Sequence, residues 1–240
     1  MTTTAEVALS YQLALTNQLD ITANNIANMS TTGFQSSQPL FAQFLVDVDK
    51  QGNNVAFVED RGTLRNTASG PLNFTGNSMD LSLQGGGYFV VEKDGEFLYT
   101  RNGSFRLDES GRLVTNGGAV VLDEQDNPIV FSPDESAIEI SRDGSVRTEN
   151  GEIGQLRIVN FADEQDMELL GSSLLRTDQV PFEAAGTEVV QGMLEGSNVI
   201  AISEMTRMIE LLRSYQSANQ LITADEDRQE KAIDTLTRPV

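Results

Sequence analysis

Thirty-six aspartates and glutamates face only sixteen lysines and arginines in this 240-residue chain. Paired carboxylates are therefore the first chemistry to consider, since one protonated and one ionised carboxyl can hydrolyse a glycosidic bond. With so many acids chance pairs are certain, and no spacing singles one out. The run Asp163, Glu164, Asp166 and Glu168 offers oxygens to a hard cation, but it lacks the alternating ligands and central glycine of an EF-hand loop. A solvated turn is expected there, and again at "DEQDN" from Asp123 to Asn127. The glycine-rich "QGGGYF", 84–89, has no lysine and is followed by β-formers rather than a helix, so a tight turn or bulge is expected in place of a phosphate loop. Histidine, cysteine and tryptophan are absent, which removes Ser-His-Asp and Cys-His nucleophiles, Cys/His zinc sites and disulfides. The net charge of −20 disfavours nucleic acid and anionic membrane surfaces. No catalytic residue, metal site, cofactor or small-molecule substrate is expected.

Amides are the more informative polar groups. In "LDITANNIANMSTTGFQ", read from Leu19, three asparagines fall within five positions of an apolar, helical stretch. Asn17, Asn24, Asn28 and Thr31 follow steps of seven, four and three, a polar row beside an apolar one. Asn28 near a helix end could cap it or bond its own backbone. That explains one residue and not the row. Buried amides are tolerated where they pair, and pairing between helices fixes axial register.

The elements that carry these residues are legible. From about Ala5 to Met29 there is no glycine or proline, and Ala8, Gln12, Leu15, Leu19, Thr22, Ile26 and Met29 form a stripe with steps of four and three. Gly33 ends it. Near the other end a stripe runs through Ala201, Met205, Met208, Leu212, Tyr215, Asn219, Ile222, Glu226, Gln229, Ile233 and Leu236, with Ser197 or Asn198 as N-cap. Between them, Asp94-Gly95, Asn102-Gly103, Asn116-Gly117, Asp143-Gly144 and Asn150-Gly151 punctuate short β runs, as two-residue hairpin turns with both central φ angles positive would. The expected class is α+β: an N-terminal helix over 1–34, an extended linker with short strands over 35–75, a mostly antiparallel β-domain over 76–190, and a C-terminal helix over 191–240. The start "MTTTAEVALSYQLALTNQLD" has no basic region and no long apolar core, so no cleaved signal peptide and no membrane span are expected.

Three stretches together resemble the axial proteins of the bacterial flagellum. "NQLDITANNIANMSTTGFQ" is similar to that family's N-terminal signature. "TGNSMDLSLQGGGYFVV" with "YTRNGSFRLDESGRLVTNGG" is similar to its middle, and "GMLEGSNVIAISEMTRMIELLRSYQSANQLI" to its closing signature. The order is right and nearly the whole chain is covered. One departure is Gln216, where the family often has glutamate after the tyrosine. The short chain and single β-domain look like rod members rather than hook members, closest to the type at the junction of proximal and distal rod, with the distal type as near alternative.

The resemblance implies a structural subunit that polymerises helically into a hollow drive shaft in the periplasm. It implies partners among other rod proteins, copies of itself and the flagellar type III export apparatus, with terminal helices forming the inner tube. Lack of cysteine suits export into an oxidising compartment. On that reading the N-terminal assembly interface comprises Leu15, Asn17, Leu19, Asn24, Asn25, Ile26, Asn28 and Met29. The C-terminal one comprises Asn198, Met205, Met208, Leu212, Tyr215, Asn219 and Ile222. The competing functions are an export adaptor or chaperone holding partners through its end helices, and a carboxylate hydrolase on the β-domain.

Overall fold

The computed structural model describes residues 2–47, 54–132, 135, 137–171 and 173–237. Residues 48–53 of the expected linker and the final three, 238–240, lie outside these. Among the described residues the fold is α+β, with one long helix near each end and antiparallel strands between. It divides into two units, one made of 1–27, 37–66 and 200–240, the other of 28–36 and 67–199.

The first unit holds helix α1, Thr2–Ala27, strands β1, Ser37–Asp47, and β2, Asn54–Arg65, and helix α2, Ala201–Thr237. The stretch expected to be an extended linker is thus largely a hairpin, in register from Ser37 opposite Arg65 to Asp47 opposite Asn54. Its register shifts between Pro39 and Phe41. A proline has no N–H for the ladder, so a strand that contains one commonly bulges there. The helices run antiparallel and close on Leu15, Leu211 and Ala218, flanked by Leu19 and Tyr215. The row that α2 buries is therefore Leu211–Tyr215–Ala218, whereas Leu212 and Asn219 of the sequence stripe are exposed. Leucines at both 211 and 212 make the period ambiguous, and small Ala218 lets the helices approach where Asn219 would have to bury an amide.

The second unit is built from short strands. In chain order they are β3 (Leu72–Phe74), β4 (Leu81–Gln84), β5 (Tyr88–Lys93), β6 (Glu96–Thr100), β7 (Phe105–Leu107), β8 (Leu113–Thr115) and β9 (Val120–Val121). Then follow β10 (Glu139–Ile140), β11 (Ser145–Thr148), β12 (Gly151–Gln155), β13 (Ile158–Asn160), β14 (Glu168–Leu170), β15 (Leu174–Arg176), β16 (Phe182–Glu183), β17 (Glu188–Gln191) and β18 (Met193–Glu195). The main sheet runs β14-β15-β6-β5-β9-β8-β7, with β13 and β16 continuing from β5. Both its faces are covered. Phe89, Val91, Leu98 and Leu174 enter one core, while Tyr88, Val90, Tyr99 and Leu175 enter another. That is why "YFVV" is apolar throughout instead of alternating. Each such side chain contributes about 1.5–3 kcal/mol by leaving water. Edge-on ring pairs, Phe89 with Phe105 at 5.2 Å and Tyr99 with Phe161 at 4.6 Å, fix the packing.

Two local expectations are corrected. Of the five Asn/Asp-Gly pairs, Asp94-Gly95 alone has both φ angles positive, at 56° and 84°. Side chains make several of the other turns: Asn102 Oδ1 accepts from Ser104 N, Asp143 Oδ1 from Ser145 N, and Thr115 Oγ1 from Ala119 N. The C-terminal helix begins at Ala201, later than 191, because β17 pairs with β4 and β18 with β3. Ser197 and Asn198 therefore precede it by several residues and do not cap it; the Ser197 hydroxyl accepts from Val199 N instead.

Candidate functional site

Within the helical unit, Asn25 is 2 % exposed. Its Nδ2 donates to Ser37 O at 2.8 Å, and its Oδ1 accepts from Ser37 N at 2.9 Å. The amide thus offers one residue both a donor and an acceptor, as a neighbouring strand would. Nδ2 also lies 3.3 Å from Glu204 Oε2 on α2. Asn25 therefore joins α1, the start of β1 and α2 within one chain.

The other predicted interface residues separate by exposure. Leu15 is buried in the helix pair, with Leu19 and Tyr215 partly buried against it. Asn17, Ile26, Asn28, Met208 and Ile222 are half-buried. Asn24, Met29, Met205, Leu212 and Asn219 are exposed. Asn28 sits just past the end of α1, where its carbonyl accepts from Thr31 N and its Oδ1 from Thr31 Oγ1. Helix closure leaves apolar side chains exposed on both helices. Leu9 and Leu13 on α1 are 54 and 64 % exposed, and Met205, Ile209 and Leu212 on α2 are 45, 52 and 44 % exposed.

In the β unit the N- and C-terminal signatures meet directly. Gly33 N donates to Glu195 O at 2.8 Å, and Asn198 N donates to Phe34 O at 3.2 Å. The Asn198 side chain accepts from Ser36 N at 2.7 Å and donates to Ala68 O at 2.7 Å. Gly33 has φ +66°, and a Cβ there would stand 2.6 Å from the Arg101 and Asn102 backbone. No larger residue fits this approach.

Beside this crossing lies a buried ion pair. Arg101 Nε donates to Glu195 Oε2 at 2.8 Å, with both side chains under 5 % exposed. The guanidinium also donates to Gly87 O at 2.6 Å, Gly85 O at 2.8 Å and Ser69 Oγ at 2.9 Å. Glu195 Oε1 accepts from Gly70 N at 3.0 Å. The glycine-rich 84–89 loop is thus a cradle for arginine. Gly85 and Gly87 have φ of +125° and +109°, where a side chain would be strained. Nothing in the residue spacing marks Arg101 or Glu195. The available hint was that both lie in stretches that resemble the family, Arg101 in "YTRNGSF" and Glu195 in "GMLEGSNV".

The acidic clusters are occupied by local structure. Asp163 Oδ1 accepts from Gln165 N, Tyr88 Oη donates to Glu164, and Glu168 pairs with Arg176. Asp123 Oδ1 accepts from Gln125 N and Asn127 N. Backbone N–H donation from Arg112 holds the Asp108 carboxyl below the ordinary aspartate value, and donation from Ser145 does the same for Asp143. Burial pushes the Tyr99 phenol up. Among the described residues no group of acids is arranged to hold a metal ion, and no helix is long and apolar enough to cross a membrane.

Comparison with known proteins agrees with the placement of these motifs. Residues 6–35 match the flagella basal body rod protein model, 82–148 the D1 domain of flagellar hook protein FlgE/F/G, and 190–235 the flagellar basal body rod FlgEFG protein C-terminal model. The chain is 34 % identical over 235 residues to flagellar basal-body rod protein FlgF of Caulobacter vibrioides, covering 96 % of each. It is 33 % identical to the FlgF of Rhizobium meliloti, covering 98 % of each. To the FlgG of Agrobacterium fabrum it is 33 % identical, covering 87 % of this chain and 90 % of that one.

Proposed function

The chain belongs to the flagellar basal-body rod protein family and is a structural component of the flagellar basal body, and from that premise we propose how it assembles. Copies of it join other rod proteins in a helical stack, a hollow shaft that transmits torque through the periplasm. The type III flagellar export apparatus delivers it there without a cleaved signal. The FlgF type is the better fit, because its members match this chain nearly end to end while FlgG members leave more of it unmatched.

The observation that supports this reading is the division of the helix surfaces. Leu15, Leu211 and Ala218 close the pair within one chain, while Leu9, Leu13, Met205, Ile209 and Leu212 remain exposed. Such a surface marks a contact with other molecules. The proposed interface therefore centres on Met205 and Leu212, with Asn24 and Asn219 exposed on the same helices. Asn25 and Tyr215 support it from within, and Leu15 holds the pair together.

Photocrosslinkers placed at Asn24 and Met205 in intact basal bodies test this. The expected products are covalent adducts to neighbouring axial subunits. Recovery of the protein only in complexes outside the basal body would overturn the proposal in favour of an export adaptor.

A further inference from the structure

The bonds around Arg101 are unusual in where their partners lie along the chain. Segment 33–36 receives three of its bonds from residues 195–198: Gly33 N to Glu195 O, Asn198 N to Phe34 O, and Ser36 N to Asn198 Oδ1. Segment 68–71 depends on the same residues, through Gly70 N to Glu195 Oε1, Gly196 N to Pro71 O, and Asn198 Nδ2 to Ala68 O. Gln35 Nε2 also donates to Thr67 O, just ahead of the second segment, at 3.5 Å. Arg101 has carbonyl partners nearby in sequence at Gly85 and Gly87, yet its charge is matched by Glu195, 94 residues further on. A buried guanidinium without its carboxylate is strongly unfavourable. Contacts this distant in sequence close late, because the intervening loop must be ordered first.

We propose that Arg101 and Glu195 form a late-closing latch, so that the N-terminal segment 28–36 seats on the β unit only after β18 has paired with β3. The N-terminal signature then takes its final form only when the closing signature is in place. Gly33 allows the segment to approach the Arg101–Asn102 backbone, Asn198 holds it, and the ion pair locks it. Arg101 and Glu195 act as positioning residues, and the sheet core does not depend on them.

Hydrogen exchange on the full-length monomer separates the latch from the core. Glu195→Gln keeps the shape but removes the charge facing Arg101, and it leaves one acceptor oxygen for the two donors Gly70 N and Arg101 Nε. The Gly33 and Gly70 amides should then exchange at least about 100-fold faster. The Leu113 and Leu122 amides, bonded to Ile129 O and Val90 O, should change by less than about threefold. Equal loss at all four amides, or no change at Gly33 and Gly70, overturns the proposal. Pulse labelling during refolding of the unaltered chain gives a second test that needs no variant. Gly33 and Gly70 should gain protection after Leu113 and Leu122, and no sooner than β18. Protection at Gly33 as early as at Leu113 overturns the latch.

Discussion

Replacing Asn25 with alanine measures how much of the N-terminal signature serves the single chain. The change deletes the two bonds to Ser37, at 2.8 and 2.9 Å, and the longer one to Glu204, at 3.3 Å. Each hydrogen bond contributes about 1 kcal/mol net, and a buried partner left without one costs about 1–3 kcal/mol. Ser37 and Glu204 are half-buried, so water can reach part of what is lost. The sum is a destabilisation of about 2–4 kcal/mol. For a chain of this size that lowers the melting temperature by about 4–16 °C. Urea unfolding of the monomer, followed by ellipticity at a fixed protein concentration, reads it directly. The neighbouring Asn24 is exposed, and its replacement by alanine should cost less than that of Asn25. Asn24→Leu should likewise leave the monomer folded yet impair rod assembly. Should Asn25→Ala cost less than about 0.5 kcal/mol, or the two alanine variants behave alike, the division between an inward and an outward asparagine is wrong.

Two further outcomes follow from the β unit. Gly33→Ala, with positive φ and a Cβ 2.6 Å from backbone, should cost at least about 2 kcal/mol. Gly118→Ala, with φ +81° but open space, should cost only about 1 kcal/mol, and equal melting shifts would count against the close approach. In acid, the Asp108 and Asp143 carboxyls should titrate below the ordinary aspartate value, since backbone N–H groups bind the ionised forms. Their contribution is present above that ordinary value and fades as pH falls through the depressed folded one. Carboxyl carbon NMR midpoints at or above the ordinary value would contradict this.

The sequence by itself determined the class of the molecule and its place in a family. Glycine-free ends with a four-three stripe can only be long helices that need a partner, and β-formers broken by Asn-Gly and Asp-Gly make an antiparallel sheet. The absence of histidine and cysteine removes the common nucleophile and zinc chemistries. Tertiary structure decided which face each residue uses. Leucine at both 211 and 212 satisfies the helical period, and only packing against Leu15 selects Leu211. Asn24 and Asn25 are the same residue type one position apart, a rotation of about 100° around the helix. That rotation buries one side chain against Ser37 and leaves the other exposed. Arg101 and Glu195 become a pair only because β18 returns across 94 residues to the end of β6. Periodicity reports neighbours a few residues apart, whereas a contact of that span exists only once the chain has closed on itself.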